Sequence, residues 1–236
     1  GKSVGVELSF PLERTELPEK EVRVFTTRPD TIHGVTFMVL APEHPLVASL
    51  TTPEQKAAIE AYIEETKRAS DIERQSTERP KTGVFTGAYC INRFTGAKVP
   101  IFIDDYVLFH YGTGAVMGVP GHDTRDFAFA NTYGLPILRV IAPEGWQGED
   151  LAEAYTEPGR MVNSGQFDGT WSVEGKERIA DHVEANGWGS RRVTYRLHDW
   201  LLSRQRYWGT PIPIVYCPDC GLVPVMRSSS PQARAR

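Results

Sequence analysis

Gly112-Thr113-Gly114-Ala115-Val116-Met117-Gly118-Val119-Pro120-Gly121-His122-Asp123-Thr124-Arg125-Asp126-Phe127 is the stretch on which the reading of this chain turns. Ala115 to Val119 is short and apolar, the pattern of a buried strand. Pro120-Gly121 breaks it. A helix is predicted next, running through Phe127, Ala130 and Asn131 and stopping at Gly134, a residue suited to a left-handed helix end. Gly112 and Gly114 permit a tight turn or the close approach of a ligand. Asp123 and Asp126 fall on the first helical turn, where the helix dipole favours ionised carboxylates. Two anions at the end of a buried strand suit a cation such as an ammonium group. Helix capping accounts for them as well, because Asp is a favoured N-cap and an acid three residues on has the spacing of a capping box. On the chemistry of this stretch alone, capping is the commoner outcome. Gly-Thr-Gly is weak evidence for a phosphate loop, since no Lys-Ser or Lys-Thr follows it.

Working outward, the 236 residues suffice for one large domain, or one domain with an appendage. Hydrophobic residues make up 40% and charged residues 24%, the balance of a globular protein that stays in water. No apolar run reaches membrane-span length, and the N-terminal residues lack a signal-peptide pattern. Only Cys90, Cys217 and Cys220 are present, so a disulfide scaffold is excluded and a reducing, cytoplasmic setting is expected. A formal net charge of −4 argues against sequence-blind coating of nucleic acid, while leaving room for a local RNA contact.

Upstream, Glu21-Val22-Arg23-Val24-Phe25-Thr26 alternates polar and apolar, as a strand with one buried face does. Thr27-Arg28-Pro29-Asp30-Thr31 breaks it, and Gly34 to Ala41 reads as a second apolar strand. A Thr-rich, Arg-bearing break between two strands makes a plausible pocket wall; hydroxyls bonding only nearby backbone would explain it equally. Thr52 to Ser70 is the clearest helix, with Thr52 as N-cap, Pro53 at N1, Gln55 completing a capping box, and Ala58, Ile59, Tyr62, Ile63 and Thr66 on the buried face. Asp71 to Lys81 reads as a polar loop. Val84–Thr86, Tyr89–Ile91, Lys98–Ile103 and Tyr106–Phe109 read as short strands, with a hairpin turn at Arg93–Gly96. Downstream, Ile137–Ile141 is a predicted strand and Trp146–Gly169 a surface loop. A last helix, capped by Ser172, turns Ile179, Ala180 and Val183 inward and stops at Gly187. The fold class is therefore α/β: a compact, barrel-like core of short strands with helices around it.

From Arg191 the character changes. Arg191, Arg192, Arg196, Arg204 and Arg206 interleave with Tyr195, Trp200, Tyr207 and Trp208, a mixture that suits RNA and equally a solvated charged surface. Cys217-Pro218-Asp219-Cys220-Gly221 is half a zinc knuckle; zinc needs two further ligands, and no Cys or His follows. Arg227 to Arg236 has the composition of a disordered tail. The expected layout is a domain over 1–190, a return segment over 191–226, and the tail over 227–236.

Three separated motifs now add up. Thr26-Thr27-Arg28-Pro29-Asp30-Thr31, then Gly34-Val35-Thr36-Phe37 with Ala41-Pro42-Glu43-His44-Pro45, then the Gly112–Phe127 stretch, resemble in this order the editing domain of bacterial leucyl-tRNA synthetases. Trp200-Leu201-Leu202-Ser203-Arg204-Gln205-Arg206-Tyr207-Trp208-Gly209-Thr210-Pro211-Ile212-Pro213 resembles the point where such class I enzymes re-enter their catalytic fold. Valyl and isoleucyl enzymes share the Thr-rich and Gly-Thr-Gly elements. The His122–Phe127 run and the Ala-Pro-Glu-His-Pro segment favour the leucyl type. A His-x-Gly-His and a Lys-Met-Ser-Lys-Ser, the synthetic-site signatures of those enzymes, are absent, so this chain is not expected to make aminoacyl-tRNA.

The resemblance implies hydrolysis of the ester of wrongly charged leucine tRNA, carrying norvaline, isoleucine or similar, while correctly charged leucyl-tRNA is spared. It implies that Asp126 grips the substrate's α-ammonium group, that Asp123 supports it, and that Thr26 and Thr27 hold the carbonyl and the attacking water. Thr31 would crowd the branched side chain of leucine. Val119 would line the amino-acid pocket, Met117 and His122 the adenosine side, and Arg28 would steady the RNA end. His122 is in principle a base, although the adjoining helix start disfavours its cation. No cofactor is implied for editing and no metal at the site; ATP belongs to a full-length synthetase, and zinc at Cys217 and Cys220 would be incomplete. The implied partners are the aminoacylated 3′ end of leucine tRNA and the remainder of a synthetase chain, with no membrane, the chain itself being monomeric. Two other readings stay open: a tRNA-binding insertion without catalysis of its own, and an unrelated small-molecule ester hydrolase built on the carboxylate pair.

Overall fold

The computed structural model describes residues 2–67, 82–109, 112–149, 151–195, 214–219 and 221–224. The chain divides into two compact units, 1–196 and 197–236. In the first unit, β1 (Lys2–Pro11), β2 (Glu21–Thr26), β3 (Phe37–Leu40), α1 (Leu46–Leu50), α2 (Lys56–Thr66), β4 (Val84–Ile91), β5 (Lys98–Ile103) and β6 (Ala115–Gly118) come first. They are followed by α3 (Thr124–Tyr133), β7 (Ile141–Ala142), β8 (Arg160–Met161), α4 (Ser172–Ala185) and β9 (Gly189–Tyr195), with 3-10 turns at Pro29–Gly34 and Gly165–Phe167. In the second unit β10 (Ile214–Cys217) and β11 (Gly221–Pro224) form an antiparallel hairpin.

Besides the short antiparallel pair β7-β8, two sheets carry the first unit. One is antiparallel in the order β2-β1-β9, and the other is mixed in the order β4-β5-β3-β6, with β3 and β5 parallel. Strand β3 shows why they stack. Met38 and Leu40 belong to the cluster that also holds Val6, Leu8, Val22 and Val24 of the first sheet. Phe37 and Val39, on the opposite face, pack instead with Phe129 and Ala130 of α3. A strand apolar on both faces needs a layer on each side. The result is sheet on sheet, backed by helix, and the described residues contain no closed barrel, which corrects the barrel-like expectation.

The strands read at Glu21–Thr26, from alternation, and at Lys98–Ile103 recur with the same bounds as β2 and β5. Other boundaries move for local reasons. Pro29–Gly34 is a 3-10 turn rather than a loop and strand start, because Thr31 N–H and Thr31 Oγ1 both donate to the Arg28 carbonyl. Helix α2 begins at Lys56, with Gln55 as N-cap and no side-chain capping bond, so Thr52 and Gln55 form no capping box; Ala58 is exposed. Val84 to Ile91 is one strand whose register shifts between Phe85 and Tyr89, around Gly87 at φ +86°. Ile137 to Val140 lies outside the short strand β7, and the loop over 146–169 contains β8 and the second 3-10 turn. Ser172 is the first residue of α4 rather than its cap, its Oγ accepting from Gly159 N–H at 3.2 Å. Residue 190, expected as a domain boundary, lies inside β9, which pairs with β1 through Tyr195. The predicted loop at 71–81, the basic residues Arg196, Arg204 and Arg206, the Trp200–Pro213 motif, Cys220 and the tail over 227–236 lie outside the described residues.

Gly118 joins the layers. A Cβ there would sit 2.4–2.5 Å from the Phe37 ring, which is itself stacked on Phe129 at 4.7 Å between centroids. Both rings are fully buried, so Gly118→Ala should force a local rearrangement and lower unfolding stability by about 1–3 kcal/mol, measured by urea denaturation.

Candidate active site

Strand β6 hands the chain to α3 through Val119, Pro120, Gly121 and His122. Asp123 is the N-cap of α3: its Oδ1 accepts from Arg125 N–H at 2.8 Å and Asp126 N–H at 3.1 Å. Gly134 closes the helix in the left-handed region at φ +62°. Asp126, three residues on, does not complete the box by turning back to the N-cap amide. Its Oδ2 accepts from Val119 N–H at 2.8 Å, and its Oδ1 from the Tyr106 hydroxyl at 3.4 Å. Capping therefore accounts for Asp123, whereas Asp126 spans from helix to strand end.

Around this carboxylate lies a cavity of about 590 Å³. Its wall takes Phe25, Thr26, Thr27, Arg28 and Thr31 from the end of β2 and the turn beyond. Val116, Met117 and Val119 come from β6 and its exit, and His122, Asp123, Arg125 and Asp126 from the start of α3. Tyr106, Val107 and Leu108 close it. All nine residues singled out from sequence thus share one concavity, although the two motifs lie some ninety residues apart.

Their environments differ. Asp126 is buried, and burial, with the Asp123 carboxylate beside it, pushes its pKa up to about 8 against the pull of the Val119 and Tyr106 bonds. This runs against the expectation that the helix start keeps Asp126 ionised, because burial penalises its charged form. His122 is buried with both ring nitrogens engaged. Nε2 accepts from Val140 N–H at 2.9 Å and Ile141 N–H at 3.2 Å, which leaves Nδ1–H to donate to the Tyr155 carbonyl at 2.8 Å. Burial drives its pKa down to about 4. The imidazole is thus a neutral structural tie, which removes it as a general base. Arg28 is committed too: its guanidinium straddles both oxygens of the fully buried Asp30 at 3.0–3.1 Å and reaches the Thr156 carbonyl at 3.4 Å. Thr26 Oγ1 accepts from Arg28 N–H at 3.0 Å, so one hydroxyl steadies the turn while Thr27 stands exposed at the rim. Thr31 is wholly buried, its side chain forming fixed wall.

Sequence reasoning missed Tyr106, Leu108, Val116 and Asp30. Tyr106 to Phe109 reads as a strand, yet it forms turns governed by Asp104, whose Oδ1 accepts from Tyr106 N–H at 3.2 Å. An Asp two residues before an aromatic is the signal that should have suggested such a turn. Of the basic group, Arg191 is held by Glu177, Asp181 and Glu184 of α4. Among the described residues no group of three or more His, Cys, Asp or Glu side chains could hold a metal ion, and no helix is long and apolar enough to cross a membrane.

A family model described as leucyl-tRNA synthetase, editing domain, matches residues 1–184. The chain belongs to this editing-domain family. Among its relatives are the leucine–tRNA ligase of Dehalococcoides mccartyi strain BAV1, 60% identical over 98% of this chain and 28% of its own length, and that of Gloeobacter violaceus, 59% identical over 99% and 27%. A solved ternary complex of Agrobacterium radiobacter K84 agnB2 LeuRS with tRNA and LeuAMS is 35% identical, with a TM-score of 0.64 over 96% of this chain and 24% of that one. The editing-domain chain thus spans about 28% of the length of curated relatives it matches. Homology to the editing domain supports a role in synthetase proofreading.

Proposed function

We propose that the chain hydrolyses the ester of mischarged leucine tRNA and that Asp126 anchors the substrate's α-ammonium group. The observation that carries this reading is the buried Asp126 carboxylate in the wall of a cavity shared with the Thr26–Thr31 turn. A cleft of this size accepts an aminoacyl group with its terminal nucleoside. Binding alone separates similar apolar side chains poorly, by about 1–3 kcal/mol per methylene, so a second, hydrolytic pocket adds the missing selectivity.

With the amine fixed on Asp126, the ester carbonyl lies towards Thr26 and Thr27, whose hydroxyls and amides polarise it and hold a water. Val119 and Met117 flank the acyl group and the nucleoside. His122 fixes the loop at residues 140, 141 and 155 and lines the adenosine side of the pocket. No Ser or Cys stands in either motif, so the attacking group is water, and rate enhancement comes from orientation and preorganised dipoles. Arg28 orders the turn through Asp30 and presents its remaining edge to the RNA end. The tRNA and the remainder of a synthetase are the partners this reading requires.

Turnover of tRNALeu charged with norvaline or isoleucine tests it. Binding without turnover would support a tRNA-binding role only, and turnover of simple esters but not of aminoacyl-tRNA would support an unrelated hydrolase.

The raised pKa of Asp126 has a sign that can be checked. Below about pH 8 the free site holds a proton that a bound ammonium must displace. Affinity for a non-hydrolysable 3′-aminoacylamino-adenosine should therefore rise roughly tenfold per unit from pH 6 towards 8, until the ligand amine loses its own proton near pH 8. Calorimetry in two buffers of different ionisation enthalpy should register the released proton. Binding with no proton release at pH 6.5 would contradict the clamp.

A further inference from the structure

Tyr106 stands apart from both sequence motifs, yet its hydroxyl is the second group bonded to Asp126. We propose that Tyr106 is a positioning residue for editing: by donating to Oδ1 while Val119 N–H holds Oδ2, it fixes the plane of the Asp126 carboxylate and keeps it turned to receive the amine. The inference rests on the ammonium-clamp reading above and deepens it.

Three observations carry it. First, the two donors engage different oxygens from different elements, Val119 from the exit of β6 and Tyr106 from the segment after β5. A carboxylate held at one oxygen can still swing about its Cβ–Cγ bond; held at both, it has one orientation. Second, Tyr106 is itself held at its backbone. Asp104 Oδ1 accepts from Tyr106 N–H, and the Tyr62 hydroxyl of α2 both donates to that oxygen at 3.4 Å and accepts from Asp105 N–H at 3.1 Å. A chain of hydrogen bonds therefore runs from α2 through Asp104 to the cavity wall. Third, the phenol ring packs against the apolar cluster between β3 and α3, and the residue also lines the cavity. Burial and the neighbouring Asp126 raise its own pKa well above the ordinary phenol value, so it stays a neutral donor. At 3.4 Å the bond is long, and the ionised carboxylate, a stronger acceptor than the protonated acid, should draw the hydroxyl closer.

Tyr106→Phe deletes the donor and keeps the ring. In the full-length enzyme, kcat/KM for norvalyl-tRNALeu at pH 7 should fall about tenfold, mostly through KM, as expected for one lost hydrogen bond to a charged group. The acid limb of the pH profile should move to higher pH, since a donor to the carboxylate favours its ionised form. A substrate whose α-amine is replaced by hydroxyl should be cleaved equally by variant and parent. Should the variant fail to fold, 3-fluorotyrosine at position 106, a stronger donor of nearly the same shape, should shift the acid limb the opposite way. Equal loss on both substrates, or an unmoved acid limb, would overturn the proposal. If Asp126→Asn abolishes cleavage of the amine substrate while Tyr106→Phe is indistinguishable from the parent, only the Tyr106 inference fails. If Asp126→Asn is fully active, the clamp itself falls.

Discussion

Asp126→Ala should remove nearly all deacylation of norvalyl- or isoleucyl-tRNALeu. On the proposed clamp the buried Asp126 carboxylate, once its proton is displaced, would pair with the substrate cation, and truncating one partner of a buried ion pair costs about 3–5 kcal/mol. That corresponds to a loss on the order of 10² to several times 10³ in kcat/KM. The fold should survive, because Asp123 supplies the helix cap. The alanine does leave Val119 N–H without its acceptor, so Asp126→Asn is the cleaner variant: it keeps shape and acceptor and drops only the charge. Linkage gives an independent reading. An acid whose folded pKa is raised to about 8 holds a proton that the unfolded chain releases near pH 4. It therefore makes stability fall as pH rises through that window. Asp126→Asn should flatten this part of the stability profile, measured by urea midpoints between pH 5 and 8. Near-normal turnover by either variant would refute the role assigned to Asp126.

Thr31→Ala should have the largest effect in the opposite direction, a gain of activity on the correct product. Thr31 is fully buried in the cavity wall, and its hydroxyl is pinned to the Arg28 carbonyl at 2.8 Å, so its methyl has one fixed direction. Removing it opens about the space by which leucine exceeds norvaline in branching. A change of that size is worth about 1–3 kcal/mol, so hydrolysis of leucyl-tRNALeu should rise roughly ten- to two-hundredfold. Release of leucine from charged tRNA, followed over time beside the parent protein, checks it. Unchanged protection of leucyl-tRNALeu would mean that the sieve lies elsewhere in the cavity, with Leu108 and Val116 next in line.

The parts of this architecture readable from sequence are those set by neighbours along the chain. The alternation of Glu21–Thr26 gave β2 its bounds, and Asp123 and Gly134 bracket α3 because capping is a matter of a few adjacent residues. What escaped is set by residues far apart. That Asp126 bonds Val119 and Tyr106 instead of its own N-cap depends on β6 and the 104–107 turn converging on α3. Likewise, Arg28 reads as a free cation until the fold buries Asp30 beneath it, and Arg191 as one until α4 offers three acids. His122 reads as a titratable base, since nothing local announces that Val140, Ile141 and Tyr155 will occupy both ring nitrogens. The family motifs located the pocket; the protonation and hydrogen-bond state of its groups came only with the packing.

The register of β1 carries a mechanical corollary. Lys2 lies opposite Tyr195, so the first and last strands of the unit begin their ladder at the same end. Tension between those two ends peels the rungs apart in turn rather than shearing them together. The fifth rung is Val6 with Arg191, and the other edge of Val6 is paired to Thr26. A tug that unzips four pairs therefore arrives at the strand that supplies the rim of the cleft.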